Sequence, residues 1–431
     1  MSKIKIDKLV FGGQGLGRLD GKAVFCWNAL PEEEAEIELD RQKKNYAEAL
    51  VKKIIKESSY RIAPLEKHYL CCGPWQILSW EKENEWKRLI ASETYYKIGA
   101  LKDILGLDIA YAEKQFGYRN KIEYSFVQNK NNGVSLAFFE RASHNLQAIE
   151  GCALAKKEIN VVAQKIVDWL NKKCVQARDL KSLILRANEA GQVIAALFLN
   201  RSIELSPCLE IDEAFVGFQI YFSNPESPQS TPDKLLSASG QNYLEETFNG
   251  VKLKYGAISF FQVNVPVFMN ALADIGKFLD KKDEVIDCYC GVGAISLSLN
   301  KQFKKAILVE NGEEAVKFAE ENVGRNKIKN CEVICSCIEA TKKLFSPESV
   351  VITDPPRAGL HRDLIKQLLE VQPKRIIYLS CDIATQARDI KWLSARYEVK
   401  FLKIYNFFPR TPHIEGLCVL DPSGLAPQDD T

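Results

Sequence analysis

From about residue 283 onward, short runs of β-branched and apolar residues alternate with longer segments of helical period, the pattern of βαβ units around a parallel sheet. The runs cover residues 283–288, 305–310, 350–353, 376–379 and 417–420. The first four end abruptly in turn-forming or charged residues: Asp287-Cys288-Tyr289-Cys290-Gly291-Val292-Gly293, Glu310, Asp354-Pro355-Pro356-Arg357-Ala358-Gly359 and Ser380-Cys381-Asp382. An α/β class with a C-terminal doubly wound, Rossmann-like domain over residues 251–431 is therefore expected. Upstream the period changes. Residues 1–61 hold short alternating strands, among them 23–25 and the acidic 34–39. Glycine turns separate them, as in Gly12-Gly13-Gln14-Gly15-Leu16-Gly17 and Asp20-Gly21-Lys22, so a small β-barrel is expected. Residues 62–250 mix both periods and read as a central α+β domain. Its expected elements are helices at 81–99 and 159–170, strands at 183–186 and 193–199, and a run of strands opening at Phe116. Trp86, Leu89, Ile90 and Tyr96 are the expected buried positions of the first helix. A further helix is expected over 265–279, and a polar, unstructured tail from Pro422.

Composition narrows the class. The 431 residues leave room for two or three domains, and the 46% hydrophobic content can supply their cores. No apolar run approaches a membrane span, and Met1-Ser2-Lys3-Ile4-Lys5 does not open like a signal peptide. Thirteen cysteines, an odd number without a scaffold-like spacing, read as reduced thiols of a cytoplasmic protein. A net charge of +2 neither favours nor disfavours RNA, so any basic surface must be local.

The chemistry-bearing residues sit where the strands end. Cys381 follows one buried strand and precedes a helix, at the rim where open sheets place their ligands. Gly291 and Gly293 permit a tight turn and close backbone approach to a ligand. Glu310 ends the next strand about twenty residues on, where an acid hydrogen-bonds ribose hydroxyls. The paired prolines stiffen the loop that fixes Asp354 beside the same crevice. In Phe407-Phe408-Pro409-Arg410-Thr411-Pro412-His413-Ile414-Glu415, either His413 or Glu415 could serve as a general base. Around Phe116-Gly117-Tyr118-Arg119-Asn120-Lys121, aromatic and basic residues interleave. That pattern suits either a half-buried strand pair or a surface that stacks bases and holds phosphates. His144, nearby, is given no role.

Five stretches in register resemble the RNA uracil-C5 methyltransferases, the family of the tRNA and 23S rRNA 5-methyluridine enzymes. They are Phe261-Gln262-Val263-Asn264, the Asp287–Gly293 turn, Asp354–Gly359, Ser380-Cys381-Asp382 through Arg388-Asp389, and Phe408-Pro409 through His413-Ile414-Glu415. The resemblance implies a class I S-adenosylmethionine-dependent domain with Cys381 as nucleophile, Glu415 as proton acceptor and His413 in support. Tyr289, Gly291, Gly293 and Glu310 would hold the cofactor, with Gln262 and Asp354 between cofactor and uracil. Arg119 and Lys121 would contact RNA. Ala294 departs from the Asn or Thr often found there. Such chemistry needs a thiolate, and the start of the helix after Cys381 is expected to help lower the thiol pKa.

Residues 1–61 resemble the TRAM domain, an RNA-binding barrel. In this family it accompanies the rRNA-modifying branch, so 23S rRNA is the expected partner ahead of tRNA, and a monomer is expected. The family also carries four cysteines for an iron–sulfur cluster. Here Cys72 and Cys152 hold two of those places while Glu66 and Trp75 hold the others, so no cluster is expected and no metal is assigned. An amino-group methyltransferase would want an aromatic residue after Asp-Pro-Pro and no cysteine. A catalytically weak RNA-binding or RNA-folding protein would be expected to lack Cys381 or Glu415, and both are present.

Overall fold

The computed structural model describes residues 2–102, 106–141, 143, 145–206 and 208–424; His144 and residues 425–431 of the expected tail lie outside them. The first five strands, β1 (Ser2–Leu9), β2 (Gly15–Leu19), β3 (Lys22–Trp27), β4 (Glu34–Gln42) and β5 (Tyr46–Lys56), close into a barrel in the order β1-β2-β3-β5-β4. Alternation does the work. Ile4 and Ile6 of β1, Val24 and Cys26 of β3, and Ile37 and Val51 point inward and form one core. Closure leaves no open edge. A buried carboxylate secures the exit: Glu33 Oε2 accepts from Leu30 N and Arg61 Nη2, both at 2.8 Å.

The chain then forms α1 (Tyr69–Cys72), α2 (Trp80–Lys97) and the two-residue strand β6 (Ile109–Ala110) before a second sheet begins. That sheet comprises β7 (Lys121–Gln128), β8 (Val134–Phe139), β9 (Leu146–Ile149), β10 (Leu180–Ala187), β11 (Val193–Leu199), β12 (Phe215–Phe222) and β13 (Lys234–Gly240). Its order is β13-β12-β11-β10-β7-β8-β9, and α3 (Lys157–Lys172) covers one face. Every residue of β11 is buried, for a reason its period-two pattern explains. Val193, Ala195, Leu197 and Leu199 pack in the core beneath α3. Ile194, Ala196 and Phe198 face the other way, into a core shared with the C-terminal sheet. The two sheets are thus joined through one strand. A hairpin, β14 (Tyr243–Phe248) and β15 (Val251–Gly256), enters the same shared core.

The C-terminal unit contains α4 (Val265–Gly276), β16 (Glu284–Cys288), α5 (Ala294–Ser298), β17 (Lys305–Glu310), α6 (Glu313–Arg325), β18 (Cys331–Cys335), β19 (Ser349–Thr353), α7 (Arg362–Val371), β20 (Arg375–Ser380), α8 (Ile383–Leu393), β21 (Tyr397–Tyr405) and β22 (Glu415–Pro422). The sheet order is β18-β17-β16-β19-β20-β22-β21-β6. Its first five strands are parallel, as βαβ units require. β22 runs antiparallel to β20, and β21, antiparallel to β22, returns to the direction of the first five strands. The chain reverses direction of travel across the sheet between β16 and β19, which makes their C-terminal ends the ligand crevice. β22 continues through Pro422, so the polar tail starts later than its sequence suggests.

The expected helix at 81–99 is present as α2, but its buried face is not the expected one. Leu89 and Tyr96 are 50% and 62% exposed, Trp86 is half-buried, and of the four residues named only Ile90 is buried. The inward face carries Glu83, Asn84, Lys87, Ile90, Ala91, Thr94 and Tyr95. Part of that face meets α8 through Ile90, Ala91 and Tyr95. The rest meets polar groups from the chain's other end. Asn406 Nδ2 donates to Glu83 Oε1 and Asn84 Oδ1, both at 3.0 Å, and Lys87 Nζ donates to Asn406 Oδ1 at 2.6 Å and to Phe408 O at 3.1 Å. Arg410 N donates to Glu83 Oε1 at 3.0 Å. Apolar periodicity alone could not place this face, because its partners lie more than three hundred residues away.

The Glu83–Lys87 pair (3.1 Å) is fully buried, whereas Lys97–Glu93 on the same helix is largely exposed. Lys87→Ala, which leaves Arg410 at 3.6 Å as the remaining cation beside the buried Glu83 carboxylate, is expected to destabilise the protein by more than about 1 kcal/mol. Lys97→Ala should cost less than about 1 kcal/mol. Denaturant titration of the two variants checks the contrast.

Candidate active site

Cys381 sits between β20 and α8, half-buried at the sheet's rim. Asp382 caps α8: its Oδ1 accepts from Ala384 N and Thr385 N, each at 3.0 Å. The helix terminus is therefore satisfied by a carboxylate rather than directed at the sulfur. The expected depression of the thiol pKa is reversed. Burial, followed by the charges of Glu415 and Asp354, pushes it up to about 12 against the pull of Arg357.

Glu415 opens β22 rather than ending a loop, and it is 2% exposed. β20 and β22 are antiparallel, with Ser380 opposite Gly416. One step further along this register, Cys381 comes opposite Glu415. Burial and the neighbouring Asp354 raise the Glu415 pKa far above the carboxylate range, and Arg357 opposes them. Asp354 follows β19, the strand beside β20, and receives Gln262 Nε2 at 2.9 Å. Its pKa is also raised, by burial and by Asp287.

Asp287, on β16, is the site residue that sequence reasoning missed. It is 1% exposed, its Oδ2 has no hydrogen-bond partner, and burial followed by the Glu310 charge lifts its pKa to about 7. Only its place near a strand end could have signalled it. Asp354 and Glu415 thus act on the thiol, and Asp287 acts on Asp354 from the next strand.

The turn after β16 is strained. Tyr289 takes a left-handed φ of 61°, a conformation that side chains rarely adopt. Gly293 has φ 83°, and a Cβ there would lie 2.6 Å from Leu297 Cδ1, so any other residue would be strained and would displace Leu297. Glu310 is held by this turn: Gly291 N donates to its Oε2 at 3.0 Å, and Gly312 N to its Oε1 at 2.8 Å. Phe260, Gln262, Tyr289, Gly291, Ala294 and Asp354 line one narrow cleft with Asp287. Backbone groups, an acid suited to a diol, and carboxyls without a cation form a donor set that fits a sulfonium-bearing nucleoside.

The segment with Arg119 and Lys121 borders the same crevice. Asn120, completely buried, donates from Nδ2 to Gln262 O at 2.9 Å, and its backbone N–H meets Val263 O at 3.1 Å. Lys121 Nζ donates to Ile258 O at 3.3 Å, which turns its ammonium toward the loop bearing Gln262. Burial lowers its pKa to about 7. The Arg119 guanidinium lies 5.9 Å from the Phe408 ring centroid, and its Nε has no hydrogen-bond partner. His413 meets the same ring edge-on at 5.6 Å; burial and then Arg357 lower its pKa to about 3, so its imidazole is neutral.

The four positions that the resemblance assigns to an iron–sulfur site are Glu66, Cys72, Trp75 and Cys152. Cys72 and Cys152 come together, but Trp75 turns into the interior and donates to Gly13 O at 3.1 Å. Cys71 Sγ instead faces Gln147 Oε1 at 3.2 Å. Two thiols fall short of the four that a cluster uses.

Residues 99–422 match the family model for tRNA (uracil-5-)-methyltransferases, and residues 3–52 match the TRAM domain. A protein of Fusobacterium nucleatum named as an RNA methyltransferase is 32% identical, with 97% of this chain and 95% of that one aligned. Another so named, from Caldanaerobacter subterraneus, is 29% identical with 97% of each covered. Among solved structures, the Pyrococcus abyssi tRNA (uracil-54, C5)-methyltransferase bound to S-adenosyl-L-homocysteine has the same fold, with a TM-score of 0.77. The two are 24% identical over 97% of this chain and all of that one. Among the described residues, no helix is long and apolar enough to cross a membrane.

The raised pKa of Asp287 has a measurable sign. Between the unfolded value of about 3.9 and the folded value, the native state binds the extra proton, so stability falls as pH rises. Asp287→Asn removes that contribution. Relative to wild type it should gain on the order of 1.4 kcal/mol per pH unit between about pH 4 and pH 7, and then level off. Chemical denaturation across this range checks the slope; a constant difference would contradict the assignment.

Proposed function

The chain belongs to the tRNA (uracil-5-)-methyltransferase family, and from that membership and the site's geometry we propose that it forms 5-methyluridine in RNA through a covalent Cys381–uracil adduct. The observation that carries the reading is the β20–β22 register, which brings Cys381 opposite Glu415 with Asp354 on the adjoining strand end.

C5 of uracil is a weak nucleophile. The Cys381 thiolate adds to C6, forming an S–C6 bond and leaving C5 as an enolate carbon. The thiol proton passes to the neighbouring Asp354 carboxylate, and Arg357 offsets part of the burial that disfavours the thiolate. S-adenosylmethionine, when bound, supplies the electrophilic methyl that C5 takes up. Tyr289, Gly291 and Gly293 hold it, and Glu310 binds its ribose. Glu415 then accepts the C5 proton, the C6–S bond breaks, and the thiolate recovers its proton from Asp354. Glu415 returns its own to solvent. Gln262 and Asp354 orient the ring, neutral His413 supports it, and Arg119 and Lys121 contact the RNA. This assigns Glu415 a general-base role that requires its ionised form, which Arg357 and a bound cationic donor would favour.

The expected substrate is 23S rRNA, since the barrel resembles that of the rRNA-modifying branch, and the protein is expected to act as a cytoplasmic monomer. One observation favours tRNA as a second reading. The archaeal enzyme, named for a tRNA uracil, aligns with 97% of this chain, so the barrel does not itself mark rRNA.

Cys381→Ala should lower methyl transfer from labelled S-adenosylmethionine to either RNA by at least about 10³-fold while leaving cofactor binding intact; preserved turnover would end the nucleophile assignment. Glu415→Gln should let the adduct form but slow its resolution, so a denaturation-resistant protein–RNA species accumulates. Normal turnover without that species would remove Glu415 from its role. Activity of the wild type on tRNA transcripts alone would replace the rRNA reading.

A further inference from the structure

At the seam between α1 and the loop after β9, three side chains with metal-ligand chemistry converge, and Cys152 adjoins one of them. Single donor atoms of Glu66, His68 and Cys72 all lie within 4.8 Å of one another. Cys72 Sγ is 3.5 Å from Glu66 Oε2, and His68 Nε2 is 3.1 Å from Glu66 Oε1. Cys152, 2% exposed, interacts with Cys72 and brings a second sulfur to the group. Two soft sulfurs, an imidazole nitrogen and a carboxylate oxygen make a four-donor set.

The imidazole supplies an independent observation. His68 Nε2 is buried and faces the Glu66 carboxylate at 3.1 Å, the side of the ring turned toward Cys72 as well. The same ring hydrogen-bonds the Gly151 backbone carbonyl. Histidine ligands commonly donate one ring N–H to a carbonyl and present the other nitrogen to a metal. Glu66 is itself fixed by Ala153 N at 2.5 Å and Gln76 Nε2 at 2.8 Å, which orients its carboxylate as outer partners orient a ligand. Glu66, His68 and Cys152 also line a broad surface depression, so an ion has a path in.

We propose that Glu66, His68, Cys72 and Cys152 bind one mononuclear divalent ion of borderline softness, Zn²⁺ above others. Mixed N, O and S donors in a four-coordinate arrangement suit Zn²⁺, while the all-thiolate iron–sulfur clusters use four cysteines. Binding releases the thiol protons as each sulfur becomes a thiolate ligand. The ion would tie α1 to the loop that leads into α3, joining segments about eighty residues apart in sequence.

The test uses the full-length protein, purified anaerobically, stripped with chelator and titrated with Co²⁺ as the probe before Zn²⁺ competition. The expected result is a thiolate-to-cobalt charge-transfer band that saturates at one equivalent and is displaced by Zn²⁺, with a matching zinc content by elemental analysis. His68→Ala should weaken Co²⁺ binding by about tenfold or more, and Cys72→Ser should abolish the charge-transfer band or greatly weaken it. Wild-type protein that shows no thiolate–cobalt band, or retains no zinc after desalting, would overturn the proposal without recourse to any variant. Iron with acid-labile sulfide in the anaerobic protein would overturn it as well.

Discussion

The cost of burying charge organises this molecule. At the ends of β16, β19 and β22, three carboxyls stand in or beside the crevice, each almost wholly removed from water, and the thiol of Cys381 joins them. Desolvation comes first among the causes for all four groups. Arg357 opposes this at Cys381 and Glu415, yet the pKa of each of the four groups is raised. Burial thus makes ionisation of these groups costly, and an added positive charge would offset that cost. A sulfonium donor would bring one, so cofactor entry and activation of the thiol become parts of a single electrostatic change.

Such a site demands rigid walls, and the fold supplies them with buried polar contacts as well as apolar ones. The loop from Asn406 to Arg410 leads into Glu415, and it is pinned by Glu83, Asn84 and Lys87 of α2. From the opposite side, Asn120 grips the backbone of Gln262 and Val263, which places Gln262 against Asp354. β11 buries its two faces in two different cores and so fixes the central sheet relative to the catalytic one. A shift in any of these supports would move a site residue. Few of them are apolar contacts that a neighbouring side chain could replace.

The strand-and-turn rhythm of the C-terminal half was legible because βαβ units write their signals locally: a β-branched run, then glycine, proline or an acid. Cys381, Asp354 and the Gly291–Gly293 turn could all be read this way. The inward face of α2 could not, because Glu83 and Lys87 are buried by partners beyond residue 400. The state of the Cys381 thiol was misjudged for a related reason. A helix start nearby suggested a lowered pKa, but Asp382 occupies that terminus, and Glu415 and Asp354 arrive from other strands. Asp287 is visible in the sequence only as one residue of a turn motif, since its isolation from solvent and cations is a property of the assembled sheet.

The most direct test of the account is covalent trapping. The protein and S-adenosylmethionine are incubated with 5-fluorouridine-substituted tRNA and 23S rRNA fragments, and denaturing gels are read for a protein–RNA species mapped by peptide mass. Fluorine cannot leave as a proton does, so the account predicts a stable complex joined through Cys381. If neither RNA is trapped while labelled methyl still enters unsubstituted RNA, the target is not uracil C5 and the covalent route is wrong.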